Sequence, residues 1–170
     1  MARILGIDPG SRITGYGLVE ATKGNVKHLE HGCLKLGKGS MDQRLLALYE
    51  GLEQVIQTLR PTEVAIEKVF VGASAQSALK LGQARGVAIL ASAQHNLAIL
   101  EYSPNQIKKA VVGRGHADKA QVMFMTKVIL SLPEVPESDA ADALAVAVCH
   151  SNFKLSTSIP ESSARQIILV

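Results

Sequence analysis

This 170-residue sequence predicts an α/β fold, a five-stranded mixed sheet flanked by helices. Three observations carry that prediction. Three strand-like segments come first, joined by short polar connections. Two further strands then alternate with segments of helical period. Short connections favour antiparallel neighbours, whereas a strand reached through a helix lies parallel to its neighbour by a right-handed crossover. The third observation is chemical: the apolar runs of the expected strands and of one core helix end on carboxylates or are interrupted by them.

Residues 3–8 form the first strand, the run Ile4-Leu5-Gly6-Ile7 closed by Asp8 and the turn Asp8-Pro9-Gly10-Ser11. Residues 14–20 and 26–36 are the second and third strands, with residues 21–25 as the hairpin link. From Met41 to Leu59, apolar residues at 41, 45, 48, 52, 55, 56 and 59 recur at helical spacing, and Pro61 ends the helix. The fourth strand, Val64 to Glu67, is expected beside the first and parallel to it.

Ser74 to Gln94 reads as a long helix with small or apolar residues on most sides. Its Gly82 and Gly86 are spaced so that two backbones can approach closely, which predicts a homodimer through this face. Leu97 to Glu101 is the fifth strand. Pro104 to Val111 and Asp118 to Leu130 are helices separated by the turn Gly113-Arg114-Gly115. After Pro133 and Pro136 a last helix runs from Ser138 to His150, with His150 expected to cap its end. One domain is therefore expected over residues 1–152, with a mobile C-terminal tail over 153–170, whose Ile167-Ile168-Leu169-Val170 offers an apolar segment for docking.

Composition bounds the class. An apolar fraction of 47% with 19% charged residues fits a compact protein rather than a disordered one. Cys33 and Cys149 are isolated, so there is neither a disulfide framework nor a zinc-type ligand pair. No signal peptide or membrane-length apolar run is legible, and a cytoplasmic protein is expected. The net charge of +3 is unevenly spread. Between Lys68 and Lys127 eight basic residues face two acidic ones, a bias that suits a polyanion; a solvated lysine-bearing face is the plainer reading.

The acids define the candidate site. Asp8 and Glu67 each close a parallel strand, and ligand sites in open α/β sheets lie at those carboxyl ends. Asp139 and Asp142 are three residues apart on one face of an otherwise apolar helix. Burying such groups unpaired costs on the order of several kcal/mol, so they must be protonated, paired with cations or holding metal. Four oxygen donors without a Cys or His pair suit Mg²⁺, with Mn²⁺ as a substitute. Two such ions about 4 Å apart would clamp the attacking and leaving oxygens of a phosphoryl displacement. Singly, three of the four acids have a plainer explanation: Asp8 as a turn former, Asp139 as a first-turn acid answering the helix dipole, Glu67 as a partner of Lys68 or Lys119; the dipole reading suits Asp142 poorly, one turn further in.

At these residues the sequence resembles the RuvC family of crossover-junction endodeoxyribonucleases. The resemblance spans about residues 3–150. It rests on Gly6-Ile7-Asp8-Pro9-Gly10, on Ala65-Ile66-Glu67-Lys68-Val69-Phe70, on the segment from Ser77 to Ala88, and on Asp139-Ala140-Ala141-Asp142-Ala143-Leu144-Ala145. It implies a ribonuclease-H-like fold and a homodimer that nicks two strands of like polarity at a four-way (Holliday) DNA junction. It also implies Asp8, Glu67, Asp139 and Asp142 as the catalytic, metal-binding acids. Phe70 is implied as a ring that stacks on a base, Lys108 and Lys119 as DNA contacts, and junction-binding and branch-migration proteins of the RuvA and RuvB type as partners. The loop Val71 to Gln76 lacks the lysine and asparagine of some relatives. Two other readings stay open at this point: an ATPase or kinase of the actin-like superfamily, whose phosphate loops resemble Asp8-Pro9-Gly10, and a non-catalytic DNA-binding subunit.

Overall fold

A computed structural model describes residues 1–68 and 74–156. Its elements follow the order β1 (Ala2–Asp8), β2 (Ile13–Thr22), β3 (Asn25–Lys35), α1 (Met41–Leu59), β4 (Glu63–Glu67), α2 (Ala75–Gln94), β5 (Ala98–Tyr102), α3 (Pro104–Val112), α4 (Lys119–Ile129) and α5 (Ser138–Ser156). The five strands form one sheet in the order β3-β2-β1-β4-β5. The β1–β2 and β2–β3 pairs are antiparallel, and the β1–β4 and β4–β5 pairs are parallel. The mixed sheet expected from connection lengths is therefore the one formed.

Period-two alternation sends successive side chains of each strand to opposite faces. On one face Leu5, Ile7, Leu18, Val64 and Ile66 pack against α1 and α2. On the other Ile4, Val19 and Ala65 pack against α5, with Ile107, Val111 and Val122 of α3 and α4 completing that core. Helix α5 crosses this second face and touches all five strands. Nearly every residue from Ala140 to Ser151 is buried, which is why its sequence is apolar on all sides.

Several boundaries differ from the sequence expectation. The β2–β3 hairpin pairs as far as Thr22 with Asn25, leaving only Lys23 and Gly24 at the turn, where Gly24 takes the left-handed conformation at φ 80°. Helix α5 runs on to Ser156, so His150 is not a helix-end cap. It is a buried group whose Nδ1 meets the Tyr102 hydroxyl at 2.7 Å and whose Nε2 meets Glu63 Oε2 at 2.7 Å. This Tyr–His–Glu chain ties α5 to β5 and β4. The part of the expected tail beyond Ser156, including Ile167 to Val170, lies outside the described residues. Cys33 and Cys149 are free thiols, and among the described residues no helix is long and apolar enough to cross a membrane.

Candidate active site

The four acids converge from three elements. Asp8 and Glu67 end the adjacent parallel strands β1 and β4, one step beyond the Ile7–Ile66 register pair. Both continue the face that carries Gly6 and Ala65, so their side chains point to the α5 side of the sheet. Asp139 and Asp142 come from the first turns of α5.

Glycine decides how close α5 can come. Gly15 of β2 is the register partner of Asp8. A Cβ placed on it would stand 1.9 Å from the Asp139 carbonyl oxygen, and one placed on Gly6 would stand 2.0 Å from that of Ala143. The helix backbone therefore rests directly on the sheet backbone, and Asp139 is delivered beside Asp8. The facing helix surface is correspondingly small, with Ala140, Ala143 and Ala147 buried against the strands. On the other side, the β1–β2 turn is braced: Thr14 Oγ1 accepts from Gly10 N and donates to Gly10 O, both at 3.1 Å, and Arg44 Nη1 donates to Ser11 O at 2.7 Å. These bonds hold the backbone that follows Asp8.

Crowding of carboxylates shows in their proton affinity. Burial, then the charges of Glu67, Asp142 and Asp139, push the Asp8 carboxyl up to about 7, with Lys119 opposing. Burial and Asp142 raise Glu67 to about 6 against the pull of Lys119 and Lys108. Lys119 is the cation these acids share. Its Nζ lies 2.7 Å from Asp142 Oδ2. Burial alone would lower its proton affinity, but the hydrogen bond and charge of Asp142, followed by Asp8 and Asp139, raise it. The plainer expectation that Lys119 pairs with Glu67 gives way to this ion pair with Asp142.

Local sequence explains the lysine's position. Gly113 closes α3 in the left-handed conformation at φ 83°, and Asp118 then caps α4 by accepting from Gln121 N at 2.8 Å. Lys119 is thereby the first helical residue, with its ammonium at Asp142. Lys108 reaches the same place from α3. Together with Glu67, Asp142, Pro104 and Ala145, the two lysines line a cleft of about 260 Å³.

Of the residues singled out from sequence, Asp8, Glu67, Asp139, Asp142, Lys108 and Lys119 are brought together here. Phe70 and residues 71–73 of the loop Val71 to Gln76 lie outside the described residues. Sequence reasoning missed Gly15, whose position opposite Asp8 only the strand register reveals. It also missed Arg44 as the brace of the β1–β2 turn.

The donor set fits hard divalent cations. Four carboxylates from three elements offer only oxygen, and their mutual repulsion is what such a charge relieves. Among the described residues, no three acids converge tightly enough to grip one ion as the side chains stand. One Asp142 oxygen is instead in contact with the Lys119 ammonium.

Comparison with known proteins agrees with the geometry. The family model described as "Crossover junction endodeoxyribonuclease RuvC" matches residues 4–150. The protein of that description from Pseudoalteromonas translucida is 53% identical over 152 residues, covering 89% of this chain and 87% of its own. The one from Geobacter sulfurreducens is 50% identical over 161 residues, covering 94% and 98%. Among solved structures, Thermus thermophilus RuvC in complex with a Holliday junction substrate superposes with a TM-score of 0.86 at 31% identity, over 92% of this chain and 96% of that one. The fold is ribonuclease-H-like, as the resemblance implied, and the readings as an actin-like ATPase or a non-catalytic subunit lose their ground. A glycine-seated helix, four converging acids and a match over nearly the whole chain lead to one conclusion: this chain belongs to the RuvC family of crossover junction endodeoxyribonucleases.

Proposed function

We propose that this protein resolves four-way DNA junctions by hydrolysing two strands of like polarity, with Asp8, Glu67, Asp139 and Asp142 as the catalytic acids. The observation that carries this reading is the convergence of those acids at the carboxyl ends of β1 and β4, close enough to hold the Asp8 proton to about pH 7. They would hold divalent cations, Mg²⁺ by preference and two per site. When bound, such ions supply positive charge to the phosphodiester and lower the proton affinity of water.

The chain's own groups do the remainder. Asp8 and Glu67, on rigid strand ends, hold their oxygens in fixed relation to one another. Asp139 and Asp142 are set against them by the seat of α5 on Gly15 and Gly6. Lys108 and Lys119, across the cleft, are placed to receive the phosphate backbone. Phe70 follows Glu67 by three residues and is assigned the base-stacking role, a contact worth about 1–3 kcal/mol.

We also propose a homodimer. Gly82 and Gly86 lie exposed on α2 with open space around them, beside Leu79 at 70% and Leu90 at 55% exposure. A two-fold pairing through this face would present two sites to a substrate of matching symmetry. The nuclease unit is assigned to residues 1–152, and proteins of the RuvA and RuvB type are the proposed partners.

Cleavage of an end-labelled junction in Mg²⁺ tests the reading. Asp8→Asn and Glu67→Gln are expected to lower the cutting rate by at least about a thousandfold while junction binding in a mobility-shift assay persists. Normal cutting by either variant would remove the proposed centre.

A further inference from the structure

Lys119 is the one feature of the cleft that the role of DNA contact does not absorb. A lysine waiting for phosphate would be expected to extend into solvent, yet its Nζ sits 2.7 Å from Asp142 Oδ2. Its charge acts on all four acids: it pairs with Asp142, is felt by Asp8 and Glu67, and is itself influenced by Asp139. Lys108 lines the same cleft and lowers the proton affinity of Glu67, but it is Lys119 whose ammonium stands in contact with Asp142. The two lysines are therefore not equivalent.

We infer that Lys119 is the site's internal counter-cation: its ammonium and a divalent cation compete for the Asp142 carboxylate, and the lysine is released toward the substrate phosphate only when the cation takes its place. This inference rests on the reading of the four acids as cation ligands. An ammonium and a divalent ion drawn to one carboxylate repel each other, so arrival of one weakens the hold of the other. The lysine is built for such an exchange. It is 59% exposed and anchored at the first residue of α4, whereas Asp142 is only 22% exposed and fixed on the buried helix α5. The partner that moves is the flexible one. Once displaced, the ammonium remains in a cleft shared with Lys108, where a phosphate would meet it.

Reciprocity follows. Whatever draws Lys119 away from Asp142 must tighten cation binding, and whatever binds Asp142 must free Lys119 for phosphate. Loading of the cation and docking of the strand are thereby coupled through one side chain. The coupling is additional to any contact between phosphate and cation.

The test uses the intact chain without DNA. Mn²⁺ affinity is measured by electron paramagnetic resonance for wild type, Lys119→Met, Lys119→Arg and Lys108→Met. Lys119→Met is expected to bind Mn²⁺ about fivefold or more tightly, because the competitor is gone, whereas Lys108→Met changes affinity by about twofold or less. Lys119→Arg, which keeps the charge, is expected to stay close to wild type. In parallel, the ¹⁵Nζ resonance of Lys119 is followed during Mg²⁺ titration and should move to the position of a solvent-exposed lysine.

Unchanged or weaker Mn²⁺ binding by Lys119→Met would overturn the proposal while leaving the acids as cation ligands. Equal tightening by Lys108→Met would overturn it too, since only long-range charge would then be at work. Absence of Mn²⁺ binding by every variant at millimolar concentration would bring down the cation reading itself.

Discussion

Asp8 binds its proton far more tightly in the folded chain than a free carboxyl does, and this makes stability depend on pH in an unusual direction. Its folded value is about 7 against an ordinary 3.8, so between those limits the folded state carries a proton that the unfolded chain has lost. The contribution of Asp8 to stability without divalent cations is therefore fully present below about 3.8 and is lost as pH rises through about 7, the reverse of a salt-bridged aspartate. Glu67, raised to about 6, adds to the same trend. Asp8→Asn is expected to be more stable than wild type at pH 8 in a chelating buffer, by on the order of a few kcal/mol. That advantage should shrink by pH 5 and reverse when Mg²⁺ is added at pH 8. Calorimetry across this range checks it, and a wild type that outlasts the variant at pH 8 without cation would mean that the acids are not crowded as described. Cation affinity itself should drop as pH falls below about 7, because the ligands must be ionised.

Helix α5 is the element on which the site turns. Its apolar sequence was legible as a buried helix, and its Asp139 and Asp142 stood out because an ionised acid is costly among alanines and valines. How closely it would approach the sheet was not legible. That depends on the missing Cβ atoms of Gly6 and Gly15, two residues of different strands whose common role appears only when the β1–β2 register sets Gly15 opposite Asp8. Gly15→Ala is expected to cost about 3 kcal/mol or more, because the Asp139 backbone must retreat from a well-packed interface. It should also suppress cleavage by displacing Asp139. Thermal unfolding and junction cutting measured on the same preparation test this, and an alanine variant of full stability would show that the helix has room to spare. The fate of His150 is a second lesson at this scale. A histidine near an expected helix end suggested a cap, but α5 continues and the imidazole is enclosed between Tyr102 and Glu63. Hydropathy alone could not foresee that, since the partners lie 48 and 87 residues away.

At the scale of the molecule the open face of α2 and the basic middle section carry the expectations. Leu79→Glu would set a charge in the exposed stripe beside Gly82 and Gly86. Light scattering should then report a monomer where wild type gives a dimer, and paired nicking should give way to single nicks. A variant that stays dimeric would move the interface elsewhere. Junction binding should weaken steeply with salt, and Lys108→Met should lower the slope of log affinity against log salt by about one unit, as expected for the loss of one phosphate contact. An unchanged slope would take Lys108 out of the interface.

The amino-acid sequence on its own determined the order of the elements, the mixed character of the sheet, the four acids and the family. All of these are written in local periodicity, in connection lengths or in contiguous motifs. Tertiary structure decided what those carriers cannot hold: that Lys119 answers Asp142 rather than Glu67, that Arg44 braces the turn after Asp8, and that glycines of two strands let a helix reach the sheet. The physical reason is that burial cost is visible residue by residue along the chain. Which distant group relieves that cost depends on strand register and on the closeness of packing, and both exist only once the chain has folded.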